Sequence, residues 1–573
     1  MTLHNVRSAA LHHCATATKR LVVYFNGKKY LPNNIRLLEK YLRGRARHLS
    51  CRTGARKEEE DRGEPSLGFF FLFGRPASSE SLAGRRYTPR GIVTSMAPPT
   101  AGTLPNRGGS SKSSEALRQR GAYLESYPGS PAMGRWTNKM WSSVVSSALV
   151  ISAETKMTER LKSIVSHMTP SKSGVSAITT KNPDDIVITL AVRTPLAKAR
   201  KGGFKDTPLD GIVVKLLKQV IAKSKLDPAL VEDICLGNVS DAKAAYFCRA
   251  AMLGAGFPNT TAGSSVNRFC SSGLKAVQDI ANQIATGAIE IGLAVGAESM
   301  TAGGDRLERP FFGEILENQE ACDCMQPMGQ TSENVGKDFN ISREAQDRFA
   351  CESFRRAEVA QKAGWFDDEI VPIQVKVKDP KTGEEKDVTL TKDEGPRWGT
   401  TYEGLSKIRP AFMPHGDRST GGNSSQVTDG AAAVLLMKRS KAQELGQPIL
   451  AKFVGATVAG LAPRIMGIGP SIAIPKLLTK FNISVDEIDL IEINEAFASM
   501  AVYCLETLKI DHSKLNVRGG AIALGHPLGC TGARQIVTGL SECRRQKKKI
   551  LLTSMCIGTG MGMAGLFVNE QNV

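Results

Sequence analysis

The sequence predicts an α/β protein built as two α/β halves separated by an insertion. Three observations carry this. From Asp184 onward, short apolar runs that read as buried strands alternate with segments of helical period. Asp185–Val192 (DIVITLAV) is a buried-strand pattern, Leu209–Ile221 repeats apolar residues at helical spacing, and Val231–Leu236 ends at a Gly237–Asn238 turn. A long helix then leads to a strand at Ile289–Val295. Residues 301–420 break that rhythm with a helical stretch (Arg343–Gly364), a charged hairpin-like segment (Val371–Leu390) and loops rich in Pro and Gly. The rhythm resumes at Gly430–Met437 and continues through Ile488–Ile493, Ile550–Met555 and Leu566–Val568.

Length and charge bound the rest. The 573 residues could hold two to four domains. The formal net charge is +19, but residues 1–156 carry 25 Lys and Arg against 10 Asp and Glu, so +15 belongs to this leader and +4 to the body. The excess is therefore no sign of a nucleic-acid partner for the body. Rich in Arg, Ser, Gly and Pro, residues 1–156 read either as a basic targeting leader or as an over-extended start; its length and its acidic residues favour the second. No run of about 20 apolar residues exists, so no membrane span is expected. The twelve cysteines are scattered without a CxxC pair, and Cys322 and Cys324 are poorly spaced for a metal cage. A reducing compartment with free thiols is expected.

Four segments could carry chemistry. In Ser264–Val277 (SSVNRFCSSGLKAV), Cys270 stands before a helix whose Leu274, Val277, Ile280 and Ile284 keep apolar spacing. A thiol at a helix N-terminus is a competent acyl acceptor, because unpaired N–H groups and the macrodipole favour the thiolate. A buried structural cysteine carries equal weight on this segment alone. In Gly519–Arg534 (GGAIALGHPLGCTGAR), His526 stands in a glycine-dense loop, where exposed N–H groups and close approach to a ligand suit a general base. The glycine spacing is wrong for a dinucleotide fingerprint. In Met555–Gly565 (MCIGTGMGMAG), Cys556 ends a strand before a glycine series, as a second thiol beside an oxyanion hole or as part of a tight turn. In Ile493–Ala498 (INEAFA), Asn494 could orient a water or a carbonyl oxygen, although a helix cap is the plainer reading.

Taken together, and in the family's order along the chain, the four motifs resemble the thiolase family, over roughly residues 183–573. The resemblance implies two α/β halves of like topology, layered αβαβα, with a loop domain inserted in the first half. The expected boundaries are a basic low-order leader at 1–156, a targeting segment and linker at 157–182, a first half at 183–445 with the insertion at about 301–420, and a second half at 446–573. By motif, Cys270 (NRFCSSG) is implied as the nucleophile, His526 (GHPLGCTG) as its activator and Cys556 (CIGTG) as the acid/base. Asn494 (NEAF), through a water, forms one oxyanion hole with His526, and the backbone N–H groups of Cys270 and Gly558 form the other. Met328 (QPMGQTSEN) is implied near the acyl–pantetheine pocket, and Arg397 and Ser425 at positions that contact CoA. No bound cofactor or metal is implied, since coenzyme A is a substrate, and a homodimer is expected.

The PMGxTSEN form is similar to degradative 3-ketoacyl-CoA thiolases of the peroxisomal type. Arg160–Met168 (RLKSIVSHM) also resembles their N-terminal import signal, with Arg160, Leu161, His167 and Met168 offered to an import receptor from one helical face. A peroxisomal location is expected, with a mitochondrial one as the alternative if residues 1–156 are made. The rival functions are a biosynthetic acetoacetyl-CoA thiolase, a ketoacyl synthase and a non-catalytic lipid carrier. The synthase uses Cys with two His, against which Asn494 and Cys556 count.

Overall fold

A computed structural model describes residues 23–25, 28–30, 174–303 and 311–571. Leader residues beyond β1 (Val23–Phe25) and β2 (Lys28–Tyr30), an antiparallel pair, lie outside the described residues, as do Arg160, Leu161, His167 and Met168.

The body is two repeats of one strand plan. In the first half the order is β3 (Ile186–Arg193), β10 (Thr428–Lys438), β7 (Ile291–Ser299), β5 (Asp233–Gly237), β6 (Ala262–Val266). The first two contacts are antiparallel and the last two parallel. In the second half β11 (Ala451–Gly460), β14 (Met561–Asn569), β13 (Ile550–Ile557) and β12 (Leu490–Ile493) repeat the same senses. A parallel bridge between Ile491 and Leu515 stands where a fifth strand would. Of the parallel strands, β7, β12 and β13 are buried end to end, as strands covered on both faces must be, while β6 at the edge is part-exposed.

The two halves meet in one hydrogen-bonded path, which the sequence did not lead us to expect. β11 touches β3 through only two register pairs, Ala451↔Ile188 and Lys452↔Val187. It then bends away at an irregularity between Phe453 and Gly455 in its pairing with β14.

Helices fill equivalent places. α2 (Leu209–Ser224) covers the outer face of the first half's strands, and α7 (Gly469–Phe481) that of the second. Between the two sets of strands lie α4 (Ser272–Ala285) and α9 (Leu528–Gln546), each packed on strands of both halves. This gives the five layers αβαβα. The insertion between β7 and β10 supplies α5 (Met328–Asp338), α6 (Arg343–Lys362) and the hairpin β8–β9 (Ile373–Lys378, Glu385–Leu390). The same connection in the second half is the three residues 558–560.

Glycine sets the distance between the two middle helices. A Cβ on Gly273 would lie 2.7 Å from both the Ala533 nitrogen and the Gly529 carbonyl oxygen, and one on Gly532 would run into the Leu274 nitrogen. A Cβ on Gly529 would meet Asn238 Cα and the Gly237 carbonyl, each at 2.7 Å. Gly529 and Gly532 therefore belong to a helix and serve backbone contact, which corrects their reading as loop residues that free N–H groups.

Gly273→Ala is expected to destabilise the protein by about 1–3 kcal/mol in urea unfolding, since backbone on the far side cannot yield. Gly254→Ala is the control, because its Cβ would meet only Val214 Cγ2, at 3.6 Å. It should gain up to about 1 kcal/mol.

Candidate active site

Cys270 lies one residue before the Ser271 N-cap of α4, and is 8% exposed. The chain reaches it through Phe269, held at φ +46°, a conformation rare for a bulky residue. Local bonds maintain the bend. Asn267 Oδ1 accepts from the Phe269 N–H at 2.9 Å. Ser272 Oγ accepts from the Arg268 N–H at 2.9 Å and donates to the Phe269 carbonyl at 2.6 Å. A strained residue pinned from both sides fixes where the next thiol points.

His526 is the counterpart at the head of α9. It precedes the Pro527 N-cap, and Gly529 lies three residues beyond it, as Gly273 lies three beyond Cys270. The glycine contact between α4 and α9 thus brings the two helix heads together. The ring is buried, with Nδ1 2.6 Å from Thr531 Oγ1 and Nε2 3.2 Å from Asn494 Nδ2. The Thr531 hydroxyl donates to the Pro527 carbonyl at 3.1 Å. Having one hydrogen, it must then accept from Nδ1–H, which leaves Nε2 bare to accept from the Asn494 amide. Burial, and after it the Arg534 charge, push the imidazole pKa down to about 3. The resting ring is a neutral base.

Asn494 follows β12, and its backbone N–H donates to the Ser554 carbonyl at 2.9 Å. The helix-cap reading is overturned: the cap of α8 (Ala498–Thr507) is Phe497, three residues on. Asn494 Oδ1 is buried and has no hydrogen-bond partner among the described residues.

Cys556 sits in β13 opposite Gly562, fully buried, with Sγ 3.3 Å from Met500 Sδ. Burial first, and then the Cys270 thiol, push its pKa well up, so it holds its proton. Cys556 clusters with Met466, Ala496, Phe497 and Met500, against which Met328 and Phe412 pack. Gly558 faces this cluster, since a Cβ there would lie 3.6 Å from the Phe269 ring and 3.9 Å from Met328 Sδ. Arg397 stands apart from these groups, and Ser425 meets them only through its backbone. Arg397 is exposed, its guanidinium 5.8 Å from the Phe354 ring centroid. Ser425 is half-buried, its N–H donating to the Ala496 carbonyl at 3.0 Å.

Several supporting residues have no signal in the sequence pattern. Glu298, buried at the end of β7, accepts from Gly529 N–H at 2.9 Å, from Asn238 Nδ2 at 3.0 Å and from Ser240 Oγ at 2.6 Å. It ties the turn after β5 to the first turn of α9. Glu495 accepts from Ser353 Oγ at 2.6 Å, Asn516 Nδ2 at 2.8 Å and Ile522 N–H at 3.1 Å, joining the Asn494 loop to the insertion. The Gln426 carbonyl accepts from the His526 N–H at 2.9 Å.

The comparisons with known proteins show the family. Residues 186–440 match the model of the thiolase N-terminal domain, and residues 447–569 that of the thiolase C-terminal domain. The chain belongs to the thiolase family. It is 51% identical over 416 residues to the peroxisomal 3-ketoacyl-CoA thiolase of Yarrowia lipolytica, covering 72% of this chain and 100% of that one. The dimeric peroxisomal thiolase of Saccharomyces cerevisiae superposes with a TM-score of 0.64 at 46% identity, over 69% of this chain and 100% of that one. Human mitochondrial 3-ketoacyl-CoA thiolase in complex with CoA gives a TM-score of 0.60 at 34% identity, over 68% of this thiolase and 98% of that chain.

The depressed imidazole pKa sets a linkage prediction for this thiolase. Folding favours the neutral ring, so His526 contributes its full share above pH 6.5 and loses it as pH falls from 6.5 toward about 3. The stability gap between the parent and His526→Gln should narrow by about 2 kcal/mol between pH 7 and pH 5 in urea melts. A gap that stays constant would mean that the buried ring takes up protons as readily as it does in the unfolded chain.

Proposed function

We propose that this thiolase cleaves 3-ketoacyl-CoA with coenzyme A, giving acetyl-CoA and a shortened acyl-CoA, as a degradative enzyme of fatty-acid β-oxidation. The observation that carries the reading is the glycine contact of α4 and α9, which sets the pinned Cys270 thiol and the neutral His526 ring at the heads of two touching helices. The names of the full-length relatives support the substrate class.

The groups divide the proton transfers between them. Cys270 gives its proton to bare Nε2 of His526 and attacks C3 of the substrate. The C2–C3 bond breaks, and the acetyl-CoA enolate takes the proton of Cys556. CoA then attacks the acyl-Cys270 thioester, Cys556 accepting the CoA thiol proton and His526 returning its own to Cys270. Charge on the two oxygens is met by Asn494, through a water, with His526, and by the N–H groups of Cys270 and Gly558. The two thiols and the imidazole suffice for these proton transfers, and coenzyme A enters as substrate.

Met328 lines the acyl–pantetheine pocket beside Phe412 and Phe497, a soft apolar wall suited to a broad range of chain lengths. Arg397 and Ser425 hold CoA at the mouth. The protein works as a homodimer in the peroxisome, delivered by a receptor that reads Arg160, Leu161, His167 and Met168.

Thiolysis of acetoacetyl-CoA and of a long-chain 3-ketoacyl-CoA is the test. Both substrates should turn over, Cys270→Ala should abolish both, and Asn494→Ala should lower kcat by roughly 10²–10³-fold. Turnover of acetoacetyl-CoA alone would move the reading to the short-chain enzyme. A folded chain inactive on both would make it a lipid carrier.

A further inference from the structure

The turn after β5 is wedged between the heads of the two middle helices, and one buried carboxylate holds it there. A Cβ on Gly237 would run into the Ser272 carbonyl and lie 2.7 Å from the Gly273 nitrogen, so the turn meets α4 backbone to backbone. On its other side Gly237 and Asn238 meet Gly529 of α9 in the same way. Glu298, 1% exposed, stands near the end of β7, the strand that underlies both helices. Two residues earlier on that strand, a Cβ on Gly296 would lie 2.6 Å from the Gly529 carbonyl oxygen and 3.1 Å from Gly273 Cα.

The hydrogen bonds of Glu298 run toward both heads. Oε2 accepts from the Gly529 N–H at 2.9 Å and the Val239 N–H at 3.1 Å. Oε1 accepts from Asn238 Nδ2 at 3.0 Å, from the Ser240 N–H at 3.2 Å and from Ser240 Oγ at 2.6 Å. Every one of these partners is a neutral donor, so hydrogen bonds alone balance the buried acid. The bond to Gly529 fixes the first turn of α9, three residues beyond His526. The other arm leads to Cys270. The Val239 carbonyl accepts from Asn267 Nδ2 at 3.1 Å, and Asn267 Oδ1 accepts from the N–H of Phe269, whose bend aims the thiol. Cys270 and His526 are thus each a short run of hydrogen bonds from the same carboxylate.

We propose that Glu298 is a positioning residue that fixes the Cys270 thiol and the His526 ring relative to each other, by holding the turn 237–240 as a spacer between their helices. It touches neither the substrate nor the reacting atoms. Proton transfer from Cys270 to Nε2 needs hydrogen-bond reach, and the held turn keeps two heads from different halves of the chain in that relation. A glutamine at 298 has the same shape but accepts through one atom only. In either orientation its NH2 group faces at least two buried donors, so the turn must shift. The inference rests on the roles given to Cys270 and His526 under the proposed function.

The test uses the full chain as parent, E298Q and S240A, each also in an H526Q background. Thiolysis of acetoacetyl-CoA is measured beside alkylation by iodoacetamide, read on the peptide that carries Cys270. Displacing reacting groups by about 1 Å costs on the order of a hundredfold, so E298Q should lower kcat by about that factor while KM stays within about twofold. Alkylation of a thiol whose proton His526 takes should slow by about tenfold in E298Q. In the H526Q background E298Q should change alkylation by less than about twofold, because the group it positions is gone. S240A removes a single donor and should show the same pattern at about three- to tenfold. An E298Q enzyme that melts earlier but keeps the parent kcat and alkylation rate would overturn the proposal, as would an equal slowing of alkylation in both backgrounds. Equal alkylation of the parent and H526Q overturns it too, since Cys270 would then not depend on His526. If E298Q does not fold, S240A decides, and parental rates there overturn it. A parent whose alkylation depends on His526 but which performs no thiolysis sinks the proposed function alone, and the alkylation cycle still decides on Glu298.

Discussion

Backbone-to-backbone contact between two buried helices is the constraint on which the rest depends. α4 and α9 come from different halves of the chain, and each is covered by strands of both. Gly273 and Gly532 allow their first turns to touch, and Gly529 lets α9 lie against the turn after β5. Any side chain there would push the heads apart, and with them Cys270 and His526. A shift of about 1 Å at reacting groups costs on the order of a hundredfold in rate. The glycines therefore act on chemistry from three to six residues away, without touching a substrate.

Burial then divides the labour between groups. The same dry surroundings push a base and an acid in opposite senses: the imidazole is held neutral and the Cys556 thiol is held protonated. Two groups that must work in alternation start in opposite roles. The carboxylates at the margin do structural work. Glu298 and Glu495 each gather donors from segments far apart in sequence, and burial pushes both of their pKa values up. Their hydrogen bonds offset the cost of placing acids in the interior.

Much of this was legible in the sequence, and what was not has physical reasons. The strands β3, β7 and β13 announce themselves because burial on both faces makes them continuous apolar runs. β11 (AKFVGATVAG) and β6 (AGSSV) do not, being part-exposed and short of large apolar residues. Cys270, His526, Asn494 and Cys556 stand out because chemistry restricts their neighbours. Thr531 lies within the quoted motif, yet its bond to Nδ1 appears only when α9 winds. Glu298 is 231 residues from Gly529, and no local pattern could join them. Gly529 and Gly532 of the His526 segment were visible but misread, because close helix packing and an exposed loop ask for the same residue.

The unequal connections of the two halves bear on how such a protein could diversify. Between β13 and β14 the chain has three residues to turn in, and Gly558 is one of them, against Phe269 and Met328. Lengthening that turn would disturb the floor of the site. The matching connection after β7 leaves the sheet and returns only at Thr428. Of two positions made alike by the repeated plan, one is locked by the chemistry and the other is free to take on length. Lineages that change what the enzyme accepts would therefore be expected to record the change in the insertion, leaving the two middle helices as an unvarying inheritance.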